Sequence, residues 1–265
     1  MNIKKHIPNA ITCCNLLCGC LAIVQIFEGN LIYAAYLVGL AAIFDFFDGF
    51  AARMLKVSSA IGKDLDSLAD MITFGVVPGL VMFKLIQLPM ANYQGYSHGD
   101  ELPLFYPYLK YVAFIIPIFS ALRLAKFNND TRQTESFIGL NTPANSMFIC
   151  SIAIIFINDY HNIFDFDSCL VSGFYPKFLS ILFDPHLLCL MSIFLSLLLV
   201  SEIPMFSLKF KHFKWKGNEI RFIFLALSLL MLITLQFLGI PLIIILYVLL
   251  SLLTNYLAKR KVTTQ

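Results

Sequence analysis

Charge is scarce in this sequence: Asp, Glu, Lys and Arg make up 13% of its 265 residues, about half the share of a soluble domain. Net charge is small too, at +3, which does not suggest a nucleic-acid partner. No internal repeat and no long linker breaks the chain, so it reads as a single domain over residues 1–265. Disorder, coiled coil and collagen are excluded by the lack of the compositions they need. In their place stand 59% hydrophobic residues, 26 of them Phe, and a mean hydropathy of +0.80. A soluble globule of this length could not hide that much apolar surface. The class that remains is an all-α, polytopic integral membrane protein.

Seven cysteines are present, but their placement does not suggest a disulfide framework. Cys13, Cys14, Cys18 and Cys20 share one apolar run. Zinc binding is one reading of that group. Helix packing by small residues is preferred, because a continuous helix points these thiols in several directions. The opening MNIKKHIPNAITCCNLLCGCLAI places positive charge before an apolar stretch, as a signal peptide does, and LCGC resembles a lipoprotein processing site. Asn9 and Asn15 interrupt the front of the run, and its apolar part continues beyond Cys20. A signal-anchor helix retained in the protein is therefore expected.

A membrane-spanning helix needs roughly 17–25 mostly apolar residues. Eight such stretches are expected, at about 9–27, 32–53, 66–88, 105–126, 142–158, 186–203, 221–237 and 239–257, with a tight turn at Gly239–Pro241. An interfacial segment is expected over 170–184. With the N-terminus inside, 16 of the 19 basic residues fall on one face, and only Lys84, Lys110 and Lys177 on the other. The positive-inside rule then places both termini in the cytoplasm.

Carboxylates inside a membrane segment are costly and usually face a cavity or a partner. Asp45 and Asp48 lie three apart, and Asp66 and Asp70 four apart, so each pair occupies one face of its helix. A turn near Ser58 would fold the hairpin 45–70 so that all four reach a similar, shallow depth on the cytoplasmic side. Four facing carboxylates cannot all stay ionised without a compensating cation. Arg53 and Lys63 are too few to neutralise the group. One divalent ion, or two, is the direct solution, and oxygen-only ligation suits Mg²⁺ or Mn²⁺. A hydrated ion-pair network joining two helices is the bland alternative. A cation- or proton-coupled transporter is another, although the acids cluster at one side and no comparable midplane carboxylate is seen. Asp64 falls on another face of its helix and reads as a solvated charge.

Asp45-x2-Asp48-Gly49-x2-Ala52-Arg53-x8-Gly62-x3-Asp66-x3-Asp70 resembles the complete signature of the CDP-alcohol phosphatidyltransferases. That resemblance implies an integral membrane enzyme, a homodimer, with its active site near the cytoplasmic surface. It implies transfer of a phosphatidyl group from CDP-diacylglycerol to an alcohol with release of CMP, in the cytoplasmic (inner) membrane of a bacterium. Three further stretches resemble the phosphatidylserine synthase branch, whose acceptor is L-serine: IPNAITCCNLLCG, SALRLAKFN with FIGLNTPA, and VSEIPMFSLK. Lys126 stands where the branch often has Arg, and Asn141 replaces the first Pro of its Gly-Leu-Pro loop. Glycerol 3-phosphate, inositol phosphate and choline stay open as acceptors.

Carried onto this chain, the resemblance makes Asp45, Asp48 and Asp66 metal ligands, with two ions implied. Asp70 becomes the general base, also touching a second metal. Asn9, Thr12, Gly49, Ala52, Arg53 and Gly62 become the residues that receive CDP-diacylglycerol. Helix packing is the competing role for Gly49, Ala52 and Gly62, and a helix cap or interfacial hydrogen bond for Asn9 and Thr12. Asn15 carries the same ambiguity. Arg123, Lys126 and Arg132 are the cations nearest to hand for the acceptor's carboxylate or phosphate, with snorkelling toward lipid headgroups as the alternative. The anionic bilayer is then a partner of the basic face. The five histidines are scattered, and none is assigned to catalysis.

Overall fold

The structure is a computed structural model that describes residues 6–57, 59–93, 105–130, 138–158, 178–179, 181–206, 215 and 218–263. Among these residues the fold is all-α, and the single β-type pairing is an isolated antiparallel bridge between Ile138 and Pro204. The helices are α1 (His6–Phe27), α2 (Leu31–Leu55), α3 (Ala60–Asp70), α4 (Val77–Tyr93), α5 (Ile115–Asn129), α6 (Thr142–Asn158), α7 (Pro185–Val200), α8 (Glu219–Leu235) and α9 (Gly239–Thr263). A π-helical turn, Met71–Val76, joins α3 to α4, and a 3-10 segment, Tyr106–Phe114, leads into α5.

Local chemistry sets these boundaries. Helix α2 ends where Lys56 takes a left-handed conformation (φ +52°) and the Val57 N–H donates to the Ala52 carbonyl at 3.0 Å. Helix α3 starts at Ser59, whose Oγ accepts the Gly62 N–H at 3.0 Å. These two caps turn the chain between the acidic helix ends within a few residues. Asn141, the residue found in place of Pro, has a use here: its Oδ1 accepts the Ala144 N–H at 3.1 Å and caps α6.

Helix α6 is buried on nearly every side, as an all-round apolar helix should be. It packs against α2, α4, α9 and the π-turn, with α1 lying along α2. Helices α8 and α9 bury little and present apolar side chains outward, which suits a lipid-facing hairpin.

The helices can be set beside the expected crossings. Among the described residues, five helical stretches are long and apolar enough to span a membrane: His6–Phe27, Leu31–Leu55, Ala60–Met90, Tyr106–Asn129 and Glu219–Leu257. Two of the eight expected spans correspond to α6 and α7, which are shorter apolar helices of 17 and 16 residues. At 1.5 Å per residue each runs only roughly 25 Å, near the lower limit of a crossing. The seventh and eighth fall in one apolar stretch, Glu219–Leu257, interrupted by a 3-10 turn. That break lies at Gln236–Leu238, with Gln236 at φ +50°, slightly ahead of the expected Gly239–Pro241. The third stretch starts six residues earlier than read, at Ala60 instead of 66, because α3, the π-turn and α4 are continuous. Most of the expected interfacial segment 170–184 lies outside the described residues.

Candidate active site

Helices α2 and α3 bring three carboxylates together. Asp45, Asp48 and Asp66 each offer one oxygen, and the three oxygens lie within 4.8 Å of one another. Asp48 is buried, and the other two are partly buried. One oxygen of Asp66, Oδ1, is buried with no hydrogen-bond partner. A buried carboxylate oxygen left unpaired beside two other carboxylates is unfavourable unless a cation occupies the space between them. The donor set therefore fits a hard divalent ion, which takes carboxylate oxygens.

Asp70, expected in the same ligand set, is not one of the three whose oxygens lie within 4.8 Å of one another, but it lies close enough to feel their charge. It is buried one turn beyond Asp66, feels the charges of Asp45 and Asp66, and accepts a hydrogen bond from Asn15 Nδ2 at 3.2 Å. The physical reason is the position along α3. Asp66 lies with Asp45 and Asp48 of α2, whereas Asp70 is the last residue of α3 and is hydrogen-bonded to Asn15 of α1. Asn15 is held from its other end, since Thr73 Oγ1 donates to the Asn15 carbonyl at 3.2 Å.

Helix α1 supplies a second contact. Thr12 Oγ1 lies 2.6 Å from Asp48 Oδ2 and 3.1 Å from the Pro8 carbonyl. Its single proton goes to the shorter, charge-assisted acceptor. A cavity of about 250 Å³ opens beside these groups, lined by Pro8, Asn9, Thr12, Asp48, Gly49, Ala52, Val57, Ser59, Gly62, Lys63 and Asp66. Five of the six residues expected to receive the nucleotide therefore share one cavity wall. The sixth, Arg53, extends its guanidinium over Gly49, 3.4 Å from where a Cβ would stand. At Gly62 a Cβ would come within 2.9 Å of Ser59 Oγ and 3.0 Å of Asn9 Oδ1, so the absent side chain is what lets α1 approach α3.

Behind this cavity α5 contributes Arg123, which is 7% exposed and interacts electrostatically with Asp70. Its Nη1 donates to Thr142 Oγ1 at 3.3 Å, its plane lies over the Phe127 ring at 5.4 Å, and its Nε is buried without a partner. Lys126, one turn further on, is exposed and stands 4.0 Å from Glu202. Arg132 lies outside the described residues. Lys63 of α3 donates to the Asn128 carbonyl at 2.8 Å, and Asn128 Nδ2 donates to Ser67 Oγ at 2.7 Å, so α3 and α5 are tied together beside the site.

Among the residues of this arrangement, Thr142, Ser59 and Asn128 were not singled out by sequence. Thr142 and Ser59 carry a detectable signal, a hydroxyl residue at a helix start. Lys63 was read as a nearby cation, whereas its hydrogen bond to the Asn128 carbonyl had no sequence signal.

A sequence profile of the family described as CDP-alcohol phosphatidyltransferase matches residues 5–174, which contain the whole acidic hairpin. The chain belongs to the CDP-alcohol phosphatidyltransferases. Among this family's curated members, the CDP-diacylglycerol–serine O-phosphatidyltransferase of Bacillus subtilis is 32% identical over 217 residues, covering 81% of this chain and 95% of the relative. The protein of the same name from Helicobacter pylori strain J99 is 29% identical over 238 residues, covering 84% and 93%. Its namesake in Methanocaldococcus jannaschii is 29% identical over 154 residues, covering 58% of the chain and 63% of the relative. In this phosphatidyltransferase, then, the helices near the N-terminus carry the signature. The matches to the first two relatives extend well past the 170 residues of the profile.

Proposed function

We propose that this multi-pass membrane protein transfers a phosphatidyl group from CDP-diacylglycerol to the hydroxyl of L-serine, yielding phosphatidylserine and CMP. The observation that carries the reading is the trio Asp45, Asp48 and Asp66, with oxygens within 4.8 Å of one another, on the wall of a cavity that also contains Asn9, Thr12 and Gly62. The relatives that share most of the chain's length bear the name of that activity.

Asp45, Asp48 and Asp66 would hold Mg²⁺ or Mn²⁺, and the bound metal, as one ion or two, supplies positive charge against the pyrophosphate and its leaving group. The nucleotide half of the substrate enters the cavity beside Gly49, Ala52 and Gly62, where no long side chain blocks it. Asn9 offers its amide there. Arg53 lies at the edge of the same surface. The diacyl half stays in lipid, which the helical cage permits because the site is at a helix end.

Asp70 accepts the serine hydroxyl proton as that oxygen attacks the phosphatidyl phosphorus. Asn15 holds the carboxylate in one orientation, leaving its other oxygen for the proton. Arg123 and Lys126 receive the serine carboxylate, with Arg132 as a further candidate. Most of the acceleration then comes from positioning and from fixed charge. We take the displacement to be direct, so a chiral thiophosphoryl centre inverts; retention would require a covalent intermediate.

The basic residues near the cytoplasmic ends support a site that opens to the cytoplasm, in the inner membrane of a bacterium. A homodimer accords with the same reading. The deciding experiment supplies purified protein with CDP-diacylglycerol, Mg²⁺ or Mn²⁺, and each labelled alcohol in turn. CMP release is expected to depend on serine and to vanish in Asp70→Asn. Release that depends only on glycerol 3-phosphate would refute the acceptor assignment.

A further inference from the structure

A second cavity, of about 350 Å³, opens between the C-terminal end of α5 and the loop after α7. Among the described residues its charged lining is balanced: Arg123, Lys126 and Asp130 come from the α5 end, and Glu202 comes from the opposite loop. A site built to hold a phosphorylated alcohol would concentrate cations and exclude acids, because like charges oppose a dianion. This one pairs cations with carboxylates.

The cations differ in their surroundings. Arg123 is buried, aimed by Thr142, and has a buried Nε–H with no partner. Arg123 lines this cavity, and a guanidinium there is matched best by a ligand carboxylate. Lys126 and Glu202 stand at the rim, 4.0 Å apart, with side chains 60% and 64% exposed. An exposed pair of this kind adds little stability.

We propose that Glu202 receives the ammonium group of the acceptor while Arg123 holds its carboxylate, so that this cavity selects a zwitterionic amino acid over phosphorylated alcohols. The inference rests on serine being the acceptor. Glu202 reaches the cavity because residues 138–140 fasten the loop after α7. The Gly139 N–H donates to the Ile203 carbonyl at 2.9 Å, and the Leu140 N–H donates to the Leu198 carbonyl at 3.0 Å. Two stretches distant in sequence thus build one wall.

The test compares the full-length enzyme with Glu202→Gln, Glu202→Asp and Asp130→Asn, by CMP release with serine. 3-Hydroxypropionate, which lacks the ammonium group, is the competing probe. Loss of one charge-assisted hydrogen bond predicts a serine KM raised about tenfold or more in Glu202→Gln, with the KM for CDP-diacylglycerol and the inhibition constant of 3-hydroxypropionate unmoved. Glu202→Asp should recover part of the loss. Equal weakening of serine and 3-hydroxypropionate overturns the proposal, since Glu202 would then act only through the wall. So does an effect found in Asp130→Asn and absent in Glu202→Gln. Serine-dependent wild-type release with an unchanged serine KM in Glu202→Gln overturns this inference alone. Wild-type release without serine dependence overturns the acceptor reading as well.

Discussion

Asn15 Nδ2 donates to Asp70 Oδ1 at 3.2 Å, linking two residues 55 positions apart and joining the first helix to the proposed base. A carboxylate that must accept a proton along one direction benefits from an anchor on its other oxygen. Asn15→Ala removes that anchor and leaves the trio untouched. It is expected to lower kcat by roughly tenfold to a hundredfold, as loss of a hydrogen bond to a charged group does, with little change in KM for CDP-diacylglycerol. Steady-state CMP release separates the two constants. An unchanged kcat would mean that Asp70 needs no such support.

Thr12 holds Asp48 in the same way from α1, at 2.6 Å. Partners of metal ligands typically contribute tenfold to a hundredfold in metal affinity. Thr12→Val keeps the shape and removes the donor, so the Mg²⁺ or Mn²⁺ concentration giving half-maximal activity should rise about tenfold or more. Thr12→Ser should behave close to wild type. A metal titration that does not distinguish Val from Thr would separate this contact from ion binding.

An ion bound by Asp45, Asp48 and Asp66 binds the folded state and so should raise its thermal midpoint. Adding excess Mg²⁺ or Mn²⁺ to chelator-treated protein in detergent should shift the midpoint upward and restore activity. Asp66→Asn should abolish both responses. A midpoint that rises equally in wild type and in Asp66→Asn would place the binding elsewhere.

Gly139 has φ +73°, and a Cβ there would stand 2.6 Å from the Leu199 carbonyl and 2.9 Å from that of Ser201. Gly139→Ala must therefore strain the backbone and push the loop after α7 away, at a cost of about 1–3 kcal/mol or more. A melting point lowered by several degrees is expected, with a raised KM for serine. Equal melting points for the two proteins would show that the loop is free to shift.

How much of this could be read before folding differs from residue to residue. Asp45, Asp48, Asp66 and Asp70 were legible as one hairpin because helical periodicity converts spacings of three and four into shared faces. The same periodicity could not separate Asp70 from the other three. What Asp70 touches beyond them, Asn15 arriving from α1 beside the π-turn that begins at Met71, could not be read from spacing. Lys126 was legible as a cation near the acceptor, but its neighbour Glu202 comes from a loop with no sequence relation to it. Crossing boundaries suffered for a similar reason. Hydropathy records composition, whereas Gln236 ends α8 through a backbone torsion that composition does not carry.

By itself the sequence determined the solvent and the kind of donor set. Its apolar excess requires lipid around the helices, and its acidic hairpin supplies carboxylate oxygens that can hold a divalent cation, because both follow from transfer energies and charge at short range. The folded packing decided the assignments within that frame. Which carboxylate oxygens lie together, which oxygen Asn15 holds and which acid faces Lys126 all depend on contacts between distant segments, and only the three-dimensional arrangement of α1, α2, α3, α5 and the loop after α7 sets those distances.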